Sequence, residues 1–364
     1  MIAVFITVIA LYLGINAWLL RSVWLALHGW PLAARVAVAA VYVLVALSFF
    51  AMQALRHRDL PYEAGHALYW TANSWLFVTL FWAFFLLCAI GLQKIGWHPL
   101  PPVWSSLLLT VVVLGAGFVR FTRPQVRQLS LRLSRPLEGR TGLRIVAVSD
   151  VHLGYGITPS RLRGYVELIN AQRPDLIVIG GDLIDMAVEP LLKERMQDEL
   201  ARLNAPLGIY MVPGNHEFYS GIKASEHFIR QTPVVLLRDS VVTLPGGLCL
   251  IGRDDHSNPR RRSVAELMKL APAGRPVVVL DHQPHDREVG NMVKAKADIA
   301  FFGHTHHGQV IPINWVTDAI YRHSYGYVQE GRTHIYVSSG LGLWGPPFRI
   351  GTDCELVVMD LATP

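Results

Sequence analysis

The run Ser149-Asp150-Val151-His152-Leu153-Gly154 decides the fold of this chain, because four later runs repeat its logic in a fixed order. These are G-G-D-L-I-D at Gly180 to Asp185, G-N-H-E at Gly214 to Glu217, D-H-Q-P at Asp281 to Pro284, and G-H-T-H-H-G at Gly303 to Gly308. Each ends or interrupts an apolar, β-branched stretch, the signature of a strand that runs out into a loop. Asp150 and His152 are spaced to project from one face of an extended segment, as are His304 and His306. Asp182 follows a Gly-Gly pair that lets the backbone turn beside a crowded site. The amide of Asn215 offers an oxygen to a hard cation.

Singly, these runs say little. Asp-x-His is weak, Gly-Asn-His-Glu alone reads as a turn with a helix cap at Asn215, and His282 alone reads as a strand-end histidine. Together they place carboxylates, imidazoles and one amide at the tips of several strands. That donor chemistry suits divalent first-row metals.

Outward from the runs, short apolar strands alternate with amphipathic helices after Gly142. Strands are expected at Arg144 to Ser149, Leu176 to Ile179, Ile209 to Val212, Leu248 to Gly252, Val277 to Leu280, Ile299 to Phe302, His334 to Ser338 and Glu355 to Met359, with helices at Pro159 to Ala171 and Pro190 to Leu203. The alternation predicts a layered α/β domain over 143–364, with ligands outside the strand ends. Before it, 121–142 is a basic connector in which Leu129, Leu131 and Leu133 alternate with Ser130 and Arg132, read as the first strand of the same sheet.

Residues 1–120 differ in kind. The chain has 364 residues with only 16% charged and a mean hydropathy of +0.33, and the apolar excess is local. Four runs, Ile2 to Leu20, Leu32 to Leu55, Leu68 to Leu92 and Val103 to Val119, each approach the ~20 residues that span a bilayer as a helix. Trp18, Trp24, Trp30, Trp70, Trp97 and Trp104 sit near the run ends, where indoles settle at headgroup level. The first run lacks the basic start of a cleaved signal. Four transmembrane helices are therefore expected. Arg56, Arg58, Arg120, Arg123, Arg127, Arg132 and Arg135 flank one side and Arg21, Arg35 and Lys94 the other, which places the C-terminal domain in the cytoplasm of a bacterial-type inner membrane. The exported side is the alternative, since long domains can cross regardless of flanking charge. Cys88, Cys249 and Cys354 have no metal-type spacing. The formal net charge is +6, and much of the excess is juxtamembrane arginine suited to anionic lipid headgroups. No basic and aromatic interleaving suited to stacking on bases is present, so nucleic acid is not an expected partner.

The five runs resemble the calcineurin-like metallophosphoesterases, whose pattern is D-x-H, G-D, G-N-H-D/E, H and G-H-x-H in that order. The likeness covers Leu143 to Leu361 and is strongest to a membrane-associated bacterial branch, through Ser339-Gly340-Leu341-Gly342-Leu343-Trp344-Gly345-Pro346-Pro347-Phe348-Arg349. His307 stands where that branch usually has glycine. The resemblance implies an α/β/β/α sandwich and two divalent metals, manganese first, with iron, zinc or magnesium as alternatives. One metal would be held by Asp150, His152, Asp182 and His306, and the second by Asp182, Asn215, His282 and His304. It also implies in-line attack on phosphorus by a hydroxide shared between the metals, with His216 as the catalytic residue. His307, Arg349 and Trp344 are candidate substrate contacts, His307 being equally readable as a residue tolerated in a glycine-type turn.

The apolar, aromatic residues around the last runs, Trp315, Ile320, Tyr321, Tyr325, Tyr327, Trp344 and Phe348, divide between core and a groove facing the bilayer. With four spans attached, the expected substrate is a lipid-linked or membrane-proximal phosphodiester or diphosphate, and membrane lipids are expected partners. The alternatives are a nucleotide or cyclic-nucleotide phosphodiesterase and a phosphate-binding receptor or transporter domain without catalysis. The intact donor set argues against the last, as does the absence of any buried charge pair within the spans.

Overall fold

The computed structural model describes residues 2–55, 58, 60–97 and 100–363. They form two compact units, one running to Val119 and including Gly345–Pro347, the other made of Arg120–Trp344 and the residues from Phe348 on. Arg56, one member of the arginine count, and Asp59 lie outside the described residues.

In the first unit, helices α1 (Ile2–Ala26), α2 (Leu32–Leu55), α3 (Tyr62–Lys94) and α4 (Pro102–Thr122) are each long and apolar enough to cross a membrane. They contain the four apolar runs: α2 matches its run end to end, and α1, α3 and α4 continue beyond theirs into the flanks. Leu19, Val23, Tyr42, Trp82 and Leu86 pack inside, while Leu44, Leu87, Leu108 and Val111 face outward. Such an exterior is unfavourable in water by about 25 cal/mol per Å² of apolar surface. It suits hydrocarbon, which also requires every backbone group to be bonded within the helix.

The second unit holds twelve strands: β1 (Gln125–Arg132), β2 (Gly142–Val148), β3 (Leu176–Ile179), β4 (Ile209–Met211), β5 (Val234–Leu236), β6 (Ser240–Thr243), β7 (Cys249–Gly252), β8 (Val277–Leu280), β9 (Ile299–Phe302), β10 (Gly326–Glu330), β11 (Thr333–Val337) and β12 (Glu355–Ala362). They build two six-stranded sheets, ordered β1-β12-β2-β3-β4-β5 and β10-β11-β9-β8-β7-β6. β2 to β5 are parallel, as are β7, β8, β9 and β11. The leucine-alternating connector forms β1, which pairs in parallel with β12, Gln125 opposite Glu355.

The strand sequences explain the layering. Val278, Leu280, Ile299 and Phe301 point into a core shared with Ile145, Ala147, Val178, Val357 and Met359 of the other sheet. Their neighbours Val277, Val279, Ala300 and Phe302 point the other way, against α10 (Val264–Met268) and α11 (Asp286–Lys294). A strand buried on both faces carries continuous β-branched and apolar residues, as these do. On the first sheet, Val146, Ile177 and Ile179 are buried on the face away from the shared core. The crossovers between β2, β3 and β4 carry α5 (Pro159–Ala171), α6 (Glu189–Lys193) and α7 (Met196–Leu200). The result is an α/β/β/α sandwich.

Two expectations are corrected. The single helix over Pro190 to Leu203 is α6 and α7, broken where Arg195 adopts φ 50°, a conformation that no continuing α-helix contains. β5, β6 and β10 were not marked by apolar runs, being short or only half buried.

Candidate metal centre

All five runs leave strand ends on one side of the sandwich: β2 at Val148, β3 at Ile179, β4 at Met211, β8 at Leu280 and β9 at Phe302. Two runs from the second sheet thus meet three from the first. The seven candidate donors converge in two overlapping groups.

In the first group, Asp150, His152 and His306 bring ligand atoms within 4.8 Å of one another. The Nε2 atoms of His152 and His306 face each other at 3.0 Å, and Asp150 Oδ1 lies 3.5 Å from His306 Nε2. In the second, Asp182, His282 and His304 converge to the same degree. Asp182 Oδ2 is 3.0 Å from His282 Nε2, and Asn215 Oδ1 is 3.1 Å from His282 Nε2 and 3.0 Å from His304 Nδ1. Asp182 also lies 3.8 Å from His152 Nε2, which sets it between the groups. A third grouping joins His152, Asp182 and His216, so His216 stands beside the donors.

The backbone bends to achieve this. Asp150, His152, Asp182, His304 and His306 all adopt positive φ, between 48° and 74°. Such a conformation costs about 1–2 kcal/mol per non-glycine residue and persists only where the surroundings over-determine it. Two glycines make the approach possible. A Cβ on Gly303 would strike the Asp150 carboxylate, and one on Gly214 would strike that of Asp182.

The donor set fits a cation. Burial, aided by the charge of His282, holds His304 down at about 3, and burial with His152 holds His306 well below the ordinary imidazole range. Both rings are therefore neutral, with lone pairs to give. Burial opposes ionisation of Asp182, but the charge and hydrogen bond of His282 outweigh it and keep the carboxyl ionised. Packing ring nitrogens and carboxylate oxygens this tightly in a buried pocket is unfavourable unless a positive charge is shared among them.

Two residues within the quoted runs had no role assigned from sequence. Asp185, buried, places Oδ1 3.0 Å from His216 Nδ1, which its carbonyl also meets at 3.1 Å, so it orients the His216 ring, and Oδ1 lies 3.5 Å from His152 Nδ1. Burial pushes its carboxyl up, but the two histidines outweigh that and hold it at about 2. In turn, burial disfavours the His216 imidazolium, yet Asp185 outweighs it and raises His216 to about 9. Glu217 is wholly buried; Oε2 accepts from Asp182 N at 3.0 Å and Gly214 N at 2.7 Å, and Oε1 from Ile184 N at 2.9 Å. It ties the second run to the third. Only its place at the close of G-N-H-E hinted at this.

Of the candidate substrate contacts, Trp344 is exposed, and its backbone exchanges hydrogen bonds with the Gln309 side chain at 3.0 and 3.1 Å. His307 has φ 47°, which explains why a glycine would suit its position. Its ring stacks on Tyr325 at 4.6 Å. Arg349 is placed differently from the expectation: it is fully buried, with Nη1 on the His306 carbonyl at 3.1 Å and Nη2 on that of Gly342 at 2.8 Å. It braces the His306 turn and has no exposed atom to offer a substrate.

Comparison with known proteins agrees with this geometry. The calcineurin-like phosphoesterase profile matches residues 143–308. An uncharacterized metallophosphoesterase of Aquifex aeolicus is 30% identical over 230 residues, covering 61% of this chain and 85% of that protein. One from Helicobacter pylori strain J99 is 30% identical over 245 residues, 66% of this chain and 64% of that one. A transmembrane protein with metallophosphoesterase domain from Danio rerio is 27% identical over 266 residues, 69% and 60%. The chain spans less than two thirds of the length of several such relatives, between 56% and 64%. With five ordered runs, their convergence at the strand ends and these matches in agreement, the chain belongs to the calcineurin-like metallophosphoesterase family.

Proposed function

We propose that the chain is a membrane-anchored, metal-dependent phosphoester hydrolase that cleaves a phosphodiester or diphosphate in a lipid-linked or membrane-proximal substrate. The observation that carries this reading is the convergence of seven donors beside a histidine–carboxylate pair that is not needed to hold metal. Asp150, His152, Asp182 and His306 would hold one divalent ion and Asp182, Asn215, His282 and His304 a second, manganese being the first candidate. When bound, such ions polarise a phosphoryl oxygen and lower the pKa of water from 15.7 toward 7.

The remaining chemistry belongs to the chain. Asp185 fixes the His216 ring through Nδ1 at 3.0 Å, which leaves Nε2 to face a substrate. With its proton held up to about 9, His216 donates to the leaving oxygen or to a charged phosphoryl oxygen. Glu217 and Asp185 hold the loops and rings that carry the donors, in the manner of outer-shell partners.

The four apolar helices motivate the substrate class, since helices of that length and composition would anchor the chain in a membrane. The arginine asymmetry motivates a cytoplasmic catalytic domain at a bacterial-type inner membrane. The reading is tested with purified full chain loaded with manganese, assayed against phospholipids, nucleotide-sugar lipids and polyprenyl phosphates in mixed micelles, and against cyclic nucleotides and a water-soluble aryl phosphodiester. Faster turnover of a lipid substrate supports it. Turnover no higher in micelles than on the aryl ester overturns the lipid assignment, and no turnover on any ester with metal bound overturns the hydrolase. Alkaline phosphatase fused after Pro364 reports the side, activity in the periplasm refuting the cytoplasmic placement.

A further inference from the structure

The run that carries His282 is held by a loop that supplies none of the seven donors. β7 and β8 are parallel, with Gly252 opposite Leu280, so Arg253 and Asp281 come next in the same register. Arg253 Nη1 donates to Asp281 Oδ2 at 2.8 Å and also to Glu288 Oε2 of α11, and the Arg253 amide donates to the Leu280 carbonyl at 3.0 Å. Arg261, at the far end of the same loop, spans the same two carboxylates, with Nη1 3.1 Å from Asp281 Oδ1 and Nη2 3.2 Å from Glu288 Oε2. Asp281 Oδ1 in turn accepts from the His282 amide at 2.9 Å. On the other side of His282, Gln283 Nε2 donates to Asp255 Oδ2 at 2.8 Å. One loop, 253–261, therefore ties down the chain before and after this candidate ligand. The ring itself is fixed from the first sheet: Nδ1 donates to the Gly180 carbonyl at 2.8 Å, which turns Nε2 toward Asp182 and Asn215.

Arg253 and Asp281 are 2% and 0% exposed, and the Arg261 side chain 8%. Burying guanidinium and carboxylate groups together is a poor source of stability, because the loss of hydration offsets their attraction and apolar packing of the same volume often does as well. What such a cluster does specify is geometry, and here it specifies the backbone on either side of His282. We propose that Arg253 and Arg261 are positioning residues that act through Asp281 to fix His282, and so set the affinity of the second ion, the one assigned to Asp182, Asn215, His282 and His304. Among the described residues, none of the hydrogen bonds or ion pairs of Arg253, Arg261 and Asp281 reaches Asp150, His152 or His306, so the effect falls on the second ion alone. The inference rests on the two-ion reading above and not on the substrate assigned to it.

Asp298 supplies a matched control. It too is buried beside two arginines, with Oδ1 2.7 Å from Arg332 Nη2 and Oδ2 3.5 Å from Arg135 Nη1, and it accepts one amide, that of Val277, at 2.9 Å. It stands at the start of β9, whereas the metal runs leave the ends of the strands. The full chain in detergent, stripped of metal, is titrated with manganese by calorimetry as Asp281→Asn and as Asp298→Asn, and thermal unfolding is followed in parallel. Both substitutions lower the unfolding temperature. Asp281→Asn weakens the second manganese by ~10–100-fold, the range for an outer-shell partner, and leaves the first unchanged; Asp298→Asn leaves both unchanged. An unchanged isotherm for Asp281→Asn, a loss shared by both ions, or an equal loss in Asp298→Asn overturns the positioning role. An unsubstituted chain that binds fewer than two ions overturns the two-ion reading and this inference with it. Should Asp281→Asn fail to fold, Arg261→Lys at the edge of the cluster keeps the charge but not the fork that spans both carboxylates. It weakens the same ion in the same direction, and an unchanged isotherm there overturns the role.

Discussion

The helical unit and the catalytic unit each bury a polar cluster, and they treat it in opposite ways. Among the helices, Asn16 Oδ1 receives Tyr42 Oη at 3.1 Å, Trp75 Nε1 at 3.0 Å and Thr79 Oγ1 at 3.4 Å, while its amide donates to the Tyr12 carbonyl at 2.9 Å. The shared oxygen and the amide both find partners among the helices, and the helical backbone is undisturbed. At the strand ends, imidazoles and carboxylates crowd together on a backbone held at positive φ in five places. One cluster is bonded within itself, and the other gathers donors that suit a divalent cation. A polar cluster that serves packing satisfies itself, whereas one that serves chemistry leaves a demand that the fold maintains at a cost.

The largest effect that separates them is expected from Asp182→Ala. Asp182 is the one candidate donor near both groups, so its loss should empty the centre and not merely retune it. Metal content measured by mass spectrometry should fall toward zero. Turnover should drop by more than the ~10–100-fold that loss of an outer-shell partner costs. A variant that keeps its full metal content would break the assignment of Asp182 as the shared ligand.

His216→Ala comes next and should split metal binding from chemistry. Metal content should hold while kcat falls roughly 10²–10⁴-fold, the range for loss of a positioned proton donor. Asp185→Asn should follow with ~10–100-fold, acting through the His216 ring. Since Asp185 raises the pKa of His216, removing its charge should move the alkaline limb of the rate profile toward lower pH, where the donor now loses its proton. An unmoved limb with the same loss of rate would assign Asp185 to structure alone.

The same contrast explains what could be read from the sequence. The spans are legible because lipid imposes composition on consecutive residues, and the donors because each sits within a few residues of a strand end. Asp185 and Glu217 lay in view inside the quoted runs, but their roles depend on partners in other loops, which no local pattern encodes. Arg349 is a candidate substrate contact by family resemblance, and only the folded chain shows it buried against the His306 carbonyl. The break at Arg195 left no mark, since neither glycine nor proline stands there.

Asn16→Leu gives the smallest effect and the sharpest test of the comparison. Leucine removes the acceptor shared by Tyr42, Trp75 and Thr79, and three donors from two other helices lose a partner within hydrocarbon. Interhelical hydrogen bonds of this kind contribute about 0.6–2 kcal/mol, because the separated helices find other partners. The variant should therefore lower the unfolding transition of the helical unit in detergent modestly. It should leave metal content and turnover on a water-soluble ester unchanged, for none of its contacts reaches a donor of the metal centre. A loss of turnover there at full metal content would mean that the amide cluster does more than pack helices. The division between a cluster that packs helices and one whose donors suit a cation would then have to be redrawn.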